Sequence, residues 1–193
     1  MKLLAKIISY ILNPIPIFTL LPYMLVYKAS RNNIHALKWA FFSSAFLLMI
    51  GLFIFYEVRK GVFSDFDISK QSQRGRLFLV SAATVLLYLL AIVFLKGPMT
   101  LFLAVFGIML GLLLFSLVNR NIKVSAHLGV FTAFSITIIW LYGFGYIFLL
   151  FLIPVLAWSR ITLSRHTLRE TIVGTILGGG IVSLIYIIAE LVY

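Results

Sequence analysis

Trp158-Ser159-Arg160-Ile161-Thr162-Leu163-Ser164-Arg165-His166-Thr167-Leu168-Arg169-Glu170 is a short polar island set between strongly apolar segments. It gathers three arginines, a histidine and a carboxylate. Flanked by long runs of Leu, Ile, Val and Phe, it reads as the end of one membrane-crossing helix and the start of the next. Burying charge near a bilayer costs several kcal/mol unless partners are supplied, so such groups point to a task. His166 follows Arg160 by six residues and Glu170 follows His166 by four, one turn along if the segment is helical. Arginine can grip a phosphate, histidine can attack or protonate it, and a carboxylate can fix the histidine tautomer.

Composition sets the class. Of 193 residues, 63% are hydrophobic and only 11% charged, with mean hydropathy +1.14. A soluble domain of this length needs far more polar surface, so the chain is expected to be an all-α, polytopic transmembrane helix bundle forming a single integral-membrane domain over residues 1–193. Cysteine is absent, which removes disulfides, thiolate catalysis and cysteine–zinc sites. The net charge of +11 does not point to nucleic acid, because no soluble basic domain carries it. The basic residues lie in short links between apolar runs, where they meet lipid head groups, orient helices or bind an anionic substrate. A cleaved signal peptide is not expected, since Pro14 and Pro16 interrupt the first apolar run and no small-residue cleavage site follows.

At about 20 residues per crossing, the apolar runs are 4–27, 39–56, 77–95, Met99–Val118, Ala126–Tyr142, 146–158 and 171–192. The first should break at Asn13-Pro14-Ile15-Pro16, where two prolines remove backbone donors. Lys96-Gly97-Pro98 makes one tight turn and Gly143-Phe144-Gly145 another. The fifth and sixth runs are short, so six crossings plus a re-entrant hairpin stands beside seven. Two spans separate the polar segment 57–76 from 119–127, and two more separate that from 159–170, so all three face one side. That side, with the N-terminus, holds Lys2, Lys6, Arg59, Lys60, Lys70, Arg74, Arg76, Arg120, Lys123, Arg160, Arg165 and Arg169; the other holds Lys28, Arg31, Lys38 and Lys96. The bias predicts a cell (inner) membrane protein with its polar side in the cytoplasm.

Gly107-x-x-x-Gly111 and Gly174-x-x-x-Gly178 each put two glycines on one helix face. Close packing within the bundle is the favoured reading, with a homo-oligomer as the alternative. Three polar clusters share the predicted face: Asp67 to Arg74, Lys123 to Gly129, and Ser159-Arg160 with His166 and Glu170. Taken alone, Lys70 and Arg74 read as juxtamembrane charges and His127 as a buried hydrogen-bonding histidine. Together they read as one site. Its excess of arginine favours oxyanions over metal cations, so neither metal nor cofactor is expected.

Ser159-Arg160-x5-His166-x3-Glu170 resembles the third motif of the type 2 phosphatidic acid phosphatase superfamily: Ser-Arg, five residues, His, three residues, Asp. Val124-Ser125-Ala126-His127 is similar to its second motif, Pro-Ser-Gly-His, and precedes the third by one helical hairpin. Lys70 and Arg74 are similar to the first motif, a Lys followed by Arg-Pro. The resemblance covers about 67–178. Glu170 stands where the family has Asp, Val124 and Ala126 replace Pro and Gly, and Lys70 and Arg74 are four apart instead of seven, with Gly75 in place of Pro.

The resemblance implies a metal-independent membrane phosphatase acting on a lipid phosphate or diphosphate of the polyprenyl phosphate, phosphatidate or phosphatidylglycerophosphate type. In that reading His166 attacks phosphorus to form a phosphohistidine, Glu170 orients it, and His127 protonates the departing oxygen and then activates water. Arg160, Arg74, Lys70 and Lys123 hold the phosphate oxygens, and Ser125 donates a hydrogen bond. The alternative is a non-enzymatic lipid-phosphate binder or carrier on the same bundle. An alcohol phosphatidyltransferase is disfavoured, because its aspartate-rich metal motif is missing from a chain with five acidic residues.

Overall fold

The computed structural model describes residues 1–192, and among these the regular structure is helical, with no strand. In order the helices are α1 (Lys2–Ile11), α2 (Pro14–Ser30), α3 (Asn33–Arg59), α4 (Arg74–Phe94), α5 (Met99–Val118), α6 (Ala126–Tyr142), α7 (Phe148–Thr162) and α8 (Leu168–Val192), with short 3-10 turns at Gln71–Gln73 and Phe144–Tyr146. Six stretches are long and apolar enough to cross a membrane: Lys2–Ser30 (α1 and α2 together), Asn33–Arg59, Gln71–Phe94, Met99–Val118, Phe144–Thr162 and Leu168–Leu191. The seventh apolar helix, α6, has 17 residues, a rise of about 26 Å against a hydrocarbon core of about 30 Å. The chain is a polytopic membrane protein.

The break between α1 and α2 falls where the prolines require it. Asn13 accepts the Ile15 N–H on Oδ1 at 2.9 Å, and Pro14, which lacks an N–H, sits in the first helical position where none is needed. α3 starts earlier than the apolar run at 39 suggests. Asn32 caps it by accepting the His35 N–H at 3.0 Å, so His35 and Lys38 ride on the helix instead of lying in a loop. Its 27 residues extend about 40 Å, and both polar ends therefore overhang the apolar core.

The helices divide into two compact units, with the boundary inside α2 at Leu21 and Pro22. One unit holds residues 22–120. Its core joins Val26 and Ala36 to Val85, Leu89 and Ile92 of α4 and Leu101 and Val105 of α5. Within the apolar layer the Tyr88 hydroxyl and Ser43 hydroxyl satisfy one another, which avoids an orphan polar group in hydrocarbon. Gly97 is obligatory in the α4–α5 turn, because a Cβ there would lie 2.6 Å from the Trp39 ring. The loop after α3 is tied by Ser64 and Gln73, by Ser69 and Asp65, and by Arg76 to the buried Glu57 at 3.2 Å.

The other unit holds residues 1–21 and everything from Asn121 onward. Ile17, Leu128, Phe131 and Leu156 form its core. α6 and α7 make a hairpin through Gly143, whose φ of +97° suits glycine. α8 lies against α6 at glycine contact distance: a Cβ on Gly174 would sit 2.5 Å from the Ser125 carbonyl oxygen, and one on Gly178 would strike the Gly129 backbone. The Gly174/Gly178 pair thus serves packing within the bundle, the favoured sequence reading.

Candidate functional site

Local rules of helix termination build the site at the end of α7. Ser164 N–H bonds the Ile161 carbonyl at 2.9 Å and Arg165 N–H bonds the Arg160 carbonyl at 3.0 Å, the paired closure of a Schellman turn. Ser164 occupies the left-handed position with φ 55°, where glycine is the usual residue. The turn folds the chain back so that the His166 N–H also approaches the Arg160 carbonyl, at 3.4 Å. Arg160 and His166, six apart in sequence, are brought to one place by this turn.

The start of α8 then fixes the imidazole. Thr167 Oγ1 accepts the Glu170 N–H at 3.3 Å, and Glu170 Oε2 accepts the Thr167 N–H at 3.2 Å, a reciprocal capping box. The same Oε2 lies 2.8 Å from Nδ1 of His166. Because the carboxylate only accepts, Nδ1 carries the hydrogen and the lone pair falls on Nε2. The sequence suggested a helical turn between His166 and Glu170. The structure instead places His166 just before the helix, and the cap geometry makes the contact. The side chain of His166 is 2% exposed and that of Glu170 18%.

The link before α6 runs alongside. Lys123 Nζ donates to the Arg165 carbonyl at 2.6 Å, and the Ser125 N–H donates to the Glu170 carbonyl at 3.3 Å. Ser125 is the N-cap of α6, yet its side chain makes no cap bond. Its hydroxyl is buried without a hydrogen-bond partner. A buried orphan hydroxyl at a helix N-terminus, beside first-turn amides that have no helical acceptor, suits an anion. His127, the second residue of α6, is buried as well.

Sequence reading missed the part played by α1. Ser9 Oγ accepts from Arg160 Nη1 at 2.7 Å, Ser159 Oγ donates to the Ala5 carbonyl at 2.6 Å, and Asn13 Nδ2 lies 3.4 Å from His127 Nε2. The available signal was two polar residues four apart in an otherwise apolar N-terminal run. One unit therefore gathers Lys123, Ser125, His127, Arg160, His166 and Glu170, together with Ser9 and Asn13. Lys70 and Arg74 belong to the other unit. Lys70 is exposed at the N-cap of the 3-10 turn. Arg74 is buried, donating from Nε to the Ile68 carbonyl at 3.1 Å and from Nη1 to Asn119 Oδ1 at 3.4 Å. Among the described residues no three His, Asp or Glu side chains cluster as a metal-binding group.

No protein-family model, curated protein or solved structure matches the chain. The phosphatase resemblance therefore rests on these residues and their geometry.

Proposed function

We propose that this protein is a membrane-embedded lipid phosphatase of the type 2 phosphatidic acid phosphatase kind, working through a phosphohistidine. The observation that carries the reading is the His166–Glu170 pair. A buried imidazole with Nδ1 held by a carboxylate presents Nε2 as a nucleophile, and it stands on the turn that also carries Arg160. In the first step Nε2 of His166 bonds to phosphorus as the P–O bond to the lipid alcohol breaks, and that oxygen takes a proton from His127. In the second, water attacks phosphorus, its proton passes to His127, and the P–N bond breaks to free inorganic phosphate. Arg160, Lys123, the Ser125 hydroxyl and the α6 N-terminus supply positive charge and donors for the non-bridging oxygens.

The site lies at the ends of apolar helices, the level at which a lipid head group sits, and this favours a lipid phosphate or diphosphate over a soluble ester. The distribution of Lys and Arg favours the cytoplasmic face of a cell (inner) membrane. A second reading, a non-catalytic binder of the same lipids, draws on one observation: Glu170 also closes a capping box, so its place beside His166 has a structural use. Phosphate release by purified protein from a panel of polyprenyl phosphates and diphosphates, phosphatidate and phosphatidylglycerophosphate separates the two. Turnover that disappears in His166→Ala supports the enzyme; tight binding without release supports the binder.

A further inference from the structure

The N-terminal segment presents two polar side chains, Ser9 of α1 and Asn13 at the α1–α2 junction, to two groups assigned to the chemistry. Ser9 meets Arg160 and Asn13 meets His127. The Asn13 contact carries more information, because its amide orientation is fixed from outside the site. Oδ1 is engaged as the cap of α2, accepting the Ile15 N–H at 2.9 Å. The NH2 group is therefore the end that faces His127 Nε2. An amide NH2 only donates, so Nε2 must accept and carries no hydrogen.

We propose that Asn13 is a positioning residue that sets the tautomer of His127, holding the ring hydrogen on Nδ1 and keeping Nε2 as the acceptor. The proposal rests on the phosphatase reading for its catalytic meaning, but the tautomer itself does not. The charged groups and histidines on α1, α7 and α8 and in the links before α6 and α8 include Lys2, Lys6, Lys123, Arg160, Arg165, His166, Arg169, Glu170 and Glu190. Asn13, at the junction of α1 and α2, bears on which ring nitrogen of His127 carries the hydrogen.

Asn13→Asp is the discriminating variant. Aspartate keeps an oxygen to cap α2 but replaces the donor to His127 with an acceptor, which draws a hydrogen onto Nε2. The chain has three histidines, so 15N-histidine spectra of the purified protein in detergent micelles can be assigned with His35→Asn and His127→Asn variants. In the wild type, Nε2 of His127 should resonate as an unprotonated ring nitrogen; in Asn13→Asp it should become protonated, with an unchanged unfolding midpoint. Turnover on the lipid phosphate that serves as substrate should fall at least about tenfold, part of the 10²–10⁴ that a positioned acid–base group contributes. A protonated Nε2 in the wild type, or one unaltered in Asn13→Asp, overturns the proposal. If the nitrogen signals behave as expected while the wild type hydrolyses no lipid phosphate, Asn13 still sets the tautomer and the phosphatase reading fails.

Discussion

Gly174→Ala places one methyl group against the site from the face of α8 that meets α6. Its carbon would lie 2.5 Å from the Ser125 carbonyl oxygen, where ordinary contact begins at 3.4 Å. Either α8 retreats by the difference, about 0.9 Å, or the chain at Ser125 does, because both atoms belong to backbone and neither can rotate away. The Ser125 N–H to Glu170 carbonyl bond, already 3.3 Å, would then open beyond bonding range. Overpacking costs about 1–3 kcal/mol and the lost bond about 0.5–1.5, against up to about 1 kcal/mol gained when alanine replaces glycine in a helix. The net expectation is a loss of about 1–3 kcal/mol, larger for Gly178→Ala, where the methyl meets the Gly129 backbone more closely. Gly180→Ala is the matched control: nothing lies within 4 Å of the added carbon, so it should be neutral or stabilising by up to about 1 kcal/mol. Unfolding of the three purified variants in detergent, followed by circular dichroism, reads the order directly. Equal tolerance of all three would refute the α6–α8 packing on which the site is built.

Other expectations concern individual side chains. Glu170→Gln keeps a capping-box acceptor, so stability should hold within about 0.5 kcal/mol, whereas turnover should fall roughly 10- to 1000-fold as the tautomer of His166 is loosened; an unchanged rate would mean the carboxylate serves only the cap. Arg160→Ala should cost about 2–4 kcal/mol of transition-state stabilisation, or roughly 30- to 1000-fold in kcat/KM, measured on the folded fraction. Arg74→Ala removes the donor of two hydrogen bonds inside the loop-bearing unit, and thermal unfolding should register a loss of about 1–3 kcal/mol. Ser164→Gly should raise stability by up to about 1 kcal/mol without altering turnover, because glycine takes the left-handed position freely. Turnover should persist in EDTA, because the proposed mechanism assigns charge neutralisation to arginine and helix N-termini; inhibition by EDTA would contradict it.

The apolar runs, the proline break and the two tight turns were legible because each depends on local chemistry. Pro14 cannot donate, and Gly97 and Gly143 stand where a side chain would collide or strain. The start of α3 was harder to see, since His35 and Lys38 look like loop residues until Asn32 is recognised as a cap. His166 and Glu170 were paired correctly by spacing but for a different geometric reason, the capping box instead of a shared helix. What could not be read was the contribution of α1. Ser9 and Asn13 meet partners 151 and 114 residues away, and no periodicity within α1 or at its junction with α2 encodes a contact of that range. Arg74 illustrates the converse. Its chemistry suits a phosphate, and two of its bonds go to a carbonyl and an asparagine of its own unit.

The central claim is that His166 carries the phosphoryl group. Purified protein incubated briefly with a 32P-labelled lipid phosphate and quenched in base, where a phosphorus–nitrogen bond survives, can be digested and the labelled peptide sequenced. The account predicts label on the peptide containing His166, lost on acid treatment and absent from His166→Ala. Label on any other residue, or rapid phosphate release by His166→Ala, would contradict it.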